Sequence, residues 1–125
     1  MFDKNYGNFH LVGFSLGAQI TGTIGRFVKE KSKGKHTIPR ITGLDPGQLP
    51  PFFQGALQDL NAGDAVFVDT IHGETKLFGS KTSLGNASFW INGGVYQPNC
   101  SSMFFLCRFI LIFLKLVSNL IDNFL

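Results

Sequence analysis

Cysteine is scarce in this chain of 125 residues: Cys100 and Cys107 are the only two. A pair this close in sequence is no disulfide framework, and no metal site by itself. Charge is also scarce, at 15% of residues with a formal balance of +3, while an apolar fraction of 44% excludes a disordered chain and fits one small domain. Five of the eleven basic residues crowd into RFVKEKSKGK, from Arg26 to Lys35. That run lacks interleaved aromatics and any binding motif, so nucleic acid is not expected as a partner. It reads as a solvated helix end and loop, with cations placed near a helix C-terminus; an anionic lipid surface is the sharper alternative. The opening MFDKNYGNFH has no basic segment followed by an apolar one, so it is not a signal peptide.

A long uncharged apolar run is missing too. From Met103 to Leu125 the sequence is MFFLCRFILIFLKLVSNLIDNFL, and Arg108 and Lys115 interrupt it. The uncharged pieces are too short to span a bilayer unaided, and each central charge costs about 2.5–3.5 kcal/mol on insertion, less if it snorkels. A weak anchor, a packed helix, and a tail that does not naturally continue the domain all stay open.

The chain is organised by short apolar runs. FHLVGF, ending at Phe14, has the length of a strand buried on both faces. LGAQITGTIGRFVKE follows as a helix, with Ile20, Ile24, Phe27 and Val28 at helical spacing and Gly22 and Gly25 between them. Each of those glycines costs about 1 kcal/mol against alanine, so close packing on a sheet is expected of them. Further strands are expected from Ile38 to Asp45, from Asp64 to His72, and over ASFWI. Strand, helix and strand in that order give an α/β architecture with a mostly parallel sheet.

Between the first strand and the helix stands Gly13-Phe14-Ser15-Leu16-Gly17, a G-x-S-x-G pattern. In a nucleophile elbow the serine occupies a strained strand-to-helix turn, and glycines on either side relieve the crowding. The turn lifts the hydroxyl above the sheet, the N–H of Leu16 faces the place where an oxyanion would form, and the helix N-terminus adds its positive end. Ser15 is therefore the expected nucleophile of an α/β-hydrolase fold, and Leu16 an oxyanion donor. Asp45 closes the next strand; one right-handed crossover sets the two strand ends side by side, making Asp45 the candidate acid. Its other reading is a turn-starting Asp before Pro46. No base is found. Of the three histidines, His10 lies inside the strand before the elbow, His36 in the lysine-rich loop, and His72, which ends the third strand, is read as structural.

HLVGFSLGAQITGTIGR, RITGLDP, DAVFVDTIH and NGGVYQPNC together resemble the pancreatic-type lipase family, especially its insect lipase and phospholipase A1-like branch. The resemblance covers about residues 1–100 as a partial domain, with 101–125 an apolar tail of unrelated sequence. It implies a secreted, extracellular carboxylic-ester hydrolase that acts on triacylglycerols or phospholipids at a lipid–water interface through a Ser-Asp-His triad. Ser15 then matches the nucleophile, Asp45 the acid and Leu16 an oxyanion donor, while His72 matches a family histidine other than the base. DLNAGDA matches the family's calcium loop in part, with Asn61 and Asp64 at side-chain ligand positions and the carbonyls of Ala56 and Asp59 at backbone ones. No metal and no cofactor is assigned. Cys100 matches a family cysteine whose partner lies further on.

In the resemblance, the base and the second oxyanion donor fall in segments with no counterpart in this chain. The expectation is a central piece of the domain with little or no activity of its own; the alternative is a non-catalytic, lipid-binding or storage relative. The sequons at Asn86 and Asn99 support secretion weakly. Nothing in the sequence bears on oligomeric state.

Overall fold

The computed structural model describes residues 9–53 and 57–98. Their regular elements are β1 (His10–Phe14), α1 (Leu16–Lys31), β2 (Arg40–Leu44), β3 (Phe67–His72) and β4 (Ala87–Trp90), with single 3-10 turns at Pro51–Phe53, Ala62–Asp64 and Ile91–Gly94. The four strands form one sheet in the order β1-β2-β3-β4, every pair parallel. Phe14 sits opposite Leu44 and Leu44 opposite Ile71, so the C-terminal ends of β1, β2 and β3 are level. That edge carries the residues after Phe14, Leu44 and His72, where ligands bind in open parallel sheets.

One sheet face is covered by α1 and the Ala62–Asp64 turn. Ala18, Ile38, Ile41, Leu60, Ala65 and Val68 form its core, with Leu11 and Val28 packed against it. Strand alternation turns His10 and Val12 to the other face, where Val12 is 54% exposed and Phe89 53%.

Helix α1 meets the sheet differently from the expectation. Of the four apolar residues at helical spacing only Val28 packs against the core; Ile20, Ile24 and Phe27 are 45%, 42% and 56% exposed, and the buried side consists of Ala18, Gln19, Thr21 and the two glycines expected to pack closely, Gly22 and Gly25. The physical reason is closeness of approach. A β-carbon on Gly25 would collide with the backbone carbonyl of Asp64, so only the small-residue stripe fits against the turn that caps the core. Gln19 is fully buried with both ends of its amide bonded: its Nε2 donates to the Gly47 carbonyl (2.6 Å) and its Oε1 accepts the Leu60 N–H (2.6 Å). Polar helix positions thus take the inner face and tie α1 to the loops after β2.

The third strand begins at Phe67, three residues later than expected from Asp64. Asn61 and Asp64 instead close a capping box around the Ala62–Asp64 turn, a local bond pattern that competes with the extended ladder. Asn86 extends the pairing beyond β4: its N–H donates to the Val68 carbonyl (2.8 Å) and its side-chain oxygen accepts the Val68 N–H (2.8 Å). Among the described residues no helix is long and apolar enough to cross a membrane. The expectations placed on the N-terminal segment, the second sequon, both cysteines, the Ala56 carbonyl and the apolar tail lie outside the described residues.

Candidate active site

Ser15 joins β1 to α1 at φ 52°, ψ −121°, a left-handed conformation that costs an L-residue about 1–3 kcal/mol. Its N–H donates to the Leu44 carbonyl (2.9 Å), which ties the turn to the end of β2. A serine at this helix position ordinarily spends its hydroxyl on capping the first turn; Ser15 makes no such side-chain bond. The hydroxyl is left at the sheet edge, next to Gly47, where a β-carbon would come to 3.1 Å from Oγ.

The two glycines of the pattern are not equivalent. A β-carbon on Gly13 would run into the backbone carbonyl of Gly17, whereas one on Gly17 meets nothing within 4 Å. The crowding expected on both sides of the serine is thus real on the strand side and absent on the helix side.

Asp45 follows β2 and is also left-handed, at φ 41°, a conformation aspartate tolerates better than most residues. It is 9% exposed. Its N–H donates to the Ile71 carbonyl (2.7 Å), and its Oδ1 accepts the N–H groups of Gly73 and Glu74, the latter at 2.9 Å. Burial pushes the Asp45 carboxyl above the ordinary aspartate range, and the nearby Glu74 adds to that. The two backbone N–H groups and the neighbouring His72 pull the other way without prevailing.

The loop that holds Asp45 is organised by Glu74, which is itself buried. Its Oε1 accepts the N–H of Lys76 (2.8 Å) and of Leu77 (3.0 Å), and its Oε2 that of Phe78 (3.1 Å). The far side of this loop is stitched to the segment after Asp45: Gln48 N–H to the Phe78 carbonyl (2.8 Å) and Ser80 N–H to the Pro46 carbonyl (2.7 Å). Phe14, Ser15, Asp45, Glu74, Phe78 and Gly79 therefore line one narrow cleft. Beside it, Leu16, Gly47, Gln48, Pro50, Phe53 and Phe78 line a larger, open, mainly apolar groove that also reaches Ser15.

The histidines are elsewhere. His10 stands at the far end of β1, its Nε2 2.8 Å from the Thr42 hydroxyl. His36 follows α1 in the exposed loop, its N–H donating to Ser32 Oγ (3.0 Å). His72 is fully buried and stacked on Trp90, with ring centres 4.0 Å apart. Its Nδ1 lies 3.2 Å from the Ser80 carbonyl, which only accepts, so the proton is on Nδ1. Nε2 then accepts from the Thr70 hydroxyl (2.9 Å). Burial lowers the pKa of His72, against the pull of Ser80 and Asp45. Both nitrogens are occupied, by Thr70 in β3 and by Ser80 in the loop that follows it, in a structural arrangement.

Sequence reading singled out Ser15, Leu16 and Asp45, and the fold brings all three to one edge. It missed Gln19, Gly47, Glu74 and Phe78. Glu74 had a readable signal, a carboxylate two to four residues before the N–H groups of a turn; Gln19 had none. Among the described residues, no group of three or more His, Cys, Asp and Glu could hold a metal ion.

A parallel sheet whose first strand runs through a strained serine turn into a helix packed on one face is the α/β-hydrolase fold. Comparison with known proteins narrows this: the Lipase family profile matches residues 2–111, and the chain belongs to that family. It is 43% identical over 100 residues to lipase member H of Mus musculus (78% of this chain, 20% of that protein). It is 38% identical over 98 residues to phospholipase A1 member A of Mus musculus, with the same coverage of 78% and 20%. Hepatic triacylglycerol lipase of Oryctolagus cuniculus is 43% identical over 100 residues, 74% of this chain and 19% of that protein. The chain thus spans about a fifth of the length of the curated relatives it matches.

Proposed function

We propose that the protein is a carboxylic-ester hydrolase of acyl lipids, triacylglycerols or phospholipids, that works outside the cell at a lipid–water interface. Ser15 attacks the ester carbonyl, the N–H of Leu16 stabilises the resulting oxyanion, and Asp45 is the acid that orients the base. The observation that carries this reading is the strained Ser15 turn with Asp45 at the end of the adjacent strand. The groove lined by Leu16, Pro50, Phe53 and Phe78 suits an acyl chain beside the serine. The names of the relatives, a triacylglycerol lipase and a phospholipase A1, support the substrate class.

The base is a separate matter. None of the three histidines has its ring at Ser15, and His72 has both nitrogens engaged. We infer that the 125-residue chain alone hydrolyses esters slowly or not at all, since losing the base costs serine hydrolases several orders of magnitude. The same observation favours a second reading, a lipid-binding relative that retains the fold without the chemistry.

A fluorophosphonate probe followed by peptide mapping tests the assignment, run beside turnover of a short-chain p-nitrophenyl ester. The expected result is an adduct that forms slowly on Ser15 and is lost in Ser15→Ala, with ester turnover at background. An adduct on another serine overturns the nucleophile assignment. No adduct at all favours the lipid-binding reading. Turnover that depends on Ser15 overturns the inference about the base.

A further inference from the structure

DLNAGDA, from Asp59 to Ala65, is the part of the chain that resembles a calcium loop, and several of the oxygens in and beside it are engaged within the protein. Asp64 is 1% exposed. Its Oδ2 accepts from Arg26 Nη1 at 2.7 Å and from the Asn61 N–H at 2.9 Å. The guanidinium goes on to the Asp59 carbonyl (3.3 Å) and the Gln58 carbonyl (3.1 Å). Asn61 Oδ1 accepts the Gly63 N–H at 2.9 Å, so it serves the turn.

A calcium ion requires six to eight oxygens, several of them anionic, converging on one point. Of the two positions that align with the family's side-chain ligands, Asn61 and Asp64, only the second carries a carboxylate. That carboxylate is neutralised by an arginine, which is always charged and carries its donors in a fixed fork. The residues do not fit the metal. They fit a guanidinium: Asp64 comes close to α1 because Gly22 and Gly25 clear its path, and Arg26, one residue on, reaches over it to both carbonyls.

We propose that Arg26 is the resident cation of the 58–64 loop, and that the loop folds and stays folded without calcium. Arg26 fastens the last turns of α1 to the loop that closes the core over Leu60, which a divalent ion would otherwise have to organise from outside. The assignment is independent of whether Ser15 is a nucleophile.

Thermal melting of the full chain tests it, in excess EGTA and in millimolar CaCl2, with MgCl2 as the ionic-strength control. The wild type is expected to melt within about 1 °C in all three, and Arg26→Met about 10 °C lower in each, because it leaves a buried carboxylate without its charge partner. Arg26→Lys keeps the charge without the fork and is expected to melt between the two; it is the comparison to use if Arg26→Met does not fold. A saturable rise with calcium in the wild type, removed by EGTA and by Asp64→Asn, overturns the proposal. So does an Arg26→Lys protein that melts with the wild type.

Discussion

Two buried aspartates of the sheet region, Asp69 in the middle of β3 and Asp45 just after β2, are treated in opposite ways. Mid-strand, opposite Thr42, Asp69 is held by a fork from Arg40, Nε at 3.1 Å and Nη2 at 2.8 Å, and by the Thr42 hydroxyl at 2.8 Å. Burial alone would raise its pKa, but Arg40 and Thr42 outweigh it and hold the carboxyl below the ordinary range. At the C-terminal end Asp45 receives two backbone N–H groups and no cation, and burial wins. The first arrangement stabilises the fold as an ion pair that crosses from β2 to β3. The second keeps a carboxylate poorly compensated beside a strained serine, at the edge proposed for catalysis. Local cost gathered at one edge is the pattern expected of a functional site set on a stable scaffold.

The contrast can be broken first at the strained edge. Gly13→Ala drives a β-carbon into the Gly17 backbone, and we expect a loss of about 3 kcal/mol in urea unfolding. A variant as stable as the wild type would mean the turn has slack that its geometry denies.

Within the sheet, Arg40→Met leaves Asp69 buried without its cation. Arg40 is half-exposed, which weakens the pair, so the expected loss is about 2 kcal/mol, below that for a fully buried partner. Asp69 carries a lowered folded pKa, so its contribution is present above the ordinary value of 3.8 and is lost as pH falls through the lower folded value. Arg40→Met should therefore match the wild type most closely in acid.

Asp45 has the reverse sign. Its folded pKa is raised, so stability falls as pH climbs from 3.8 through the folded value, and at neutral pH the charged carboxylate is a burden. Asp45→Asn keeps the shape and an acceptor for the Gly73 and Glu74 N–H groups. It should gain about 0.5–1 kcal/mol at pH 7 and nothing in strong acid, as read from melting curves at both. Destabilisation at pH 7 would show that the charge is structural.

The smallest effect belongs to Gly17→Ala. With open space around the position, it should gain about 0.5 kcal/mol from helix propensity. A loss there would restore the symmetric crowding read from the sequence.

Legibility in the sequence followed the range of the interaction. The β1–α1 turn was readable because its glycines and apolar strand are adjacent in the chain, and Asp45 because it ends the next apolar run. The inner face of α1 was legible in part: Gly22 and Gly25 read as close-packing positions and are, against a turn some 40 residues later, whereas period alone also selects Ile20, Ile24 and Phe27, which stay outside. The same distance hid Gln19, whose partners are Gly47 and Leu60. Arg26 read as the first residue of a basic surface run; only the fold brings Asp64 to it and sets it apart from the lysines that follow.

The central claim is that one sheet holds two aspartates biased in opposite directions. Carbonyl-carbon NMR titration of Asp45 and Asp69 in the folded chain measures both at once. The account predicts that Asp45 titrates above an unfolded aspartate and Asp69 below it. Coincident midpoints, or the reverse order, would contradict it.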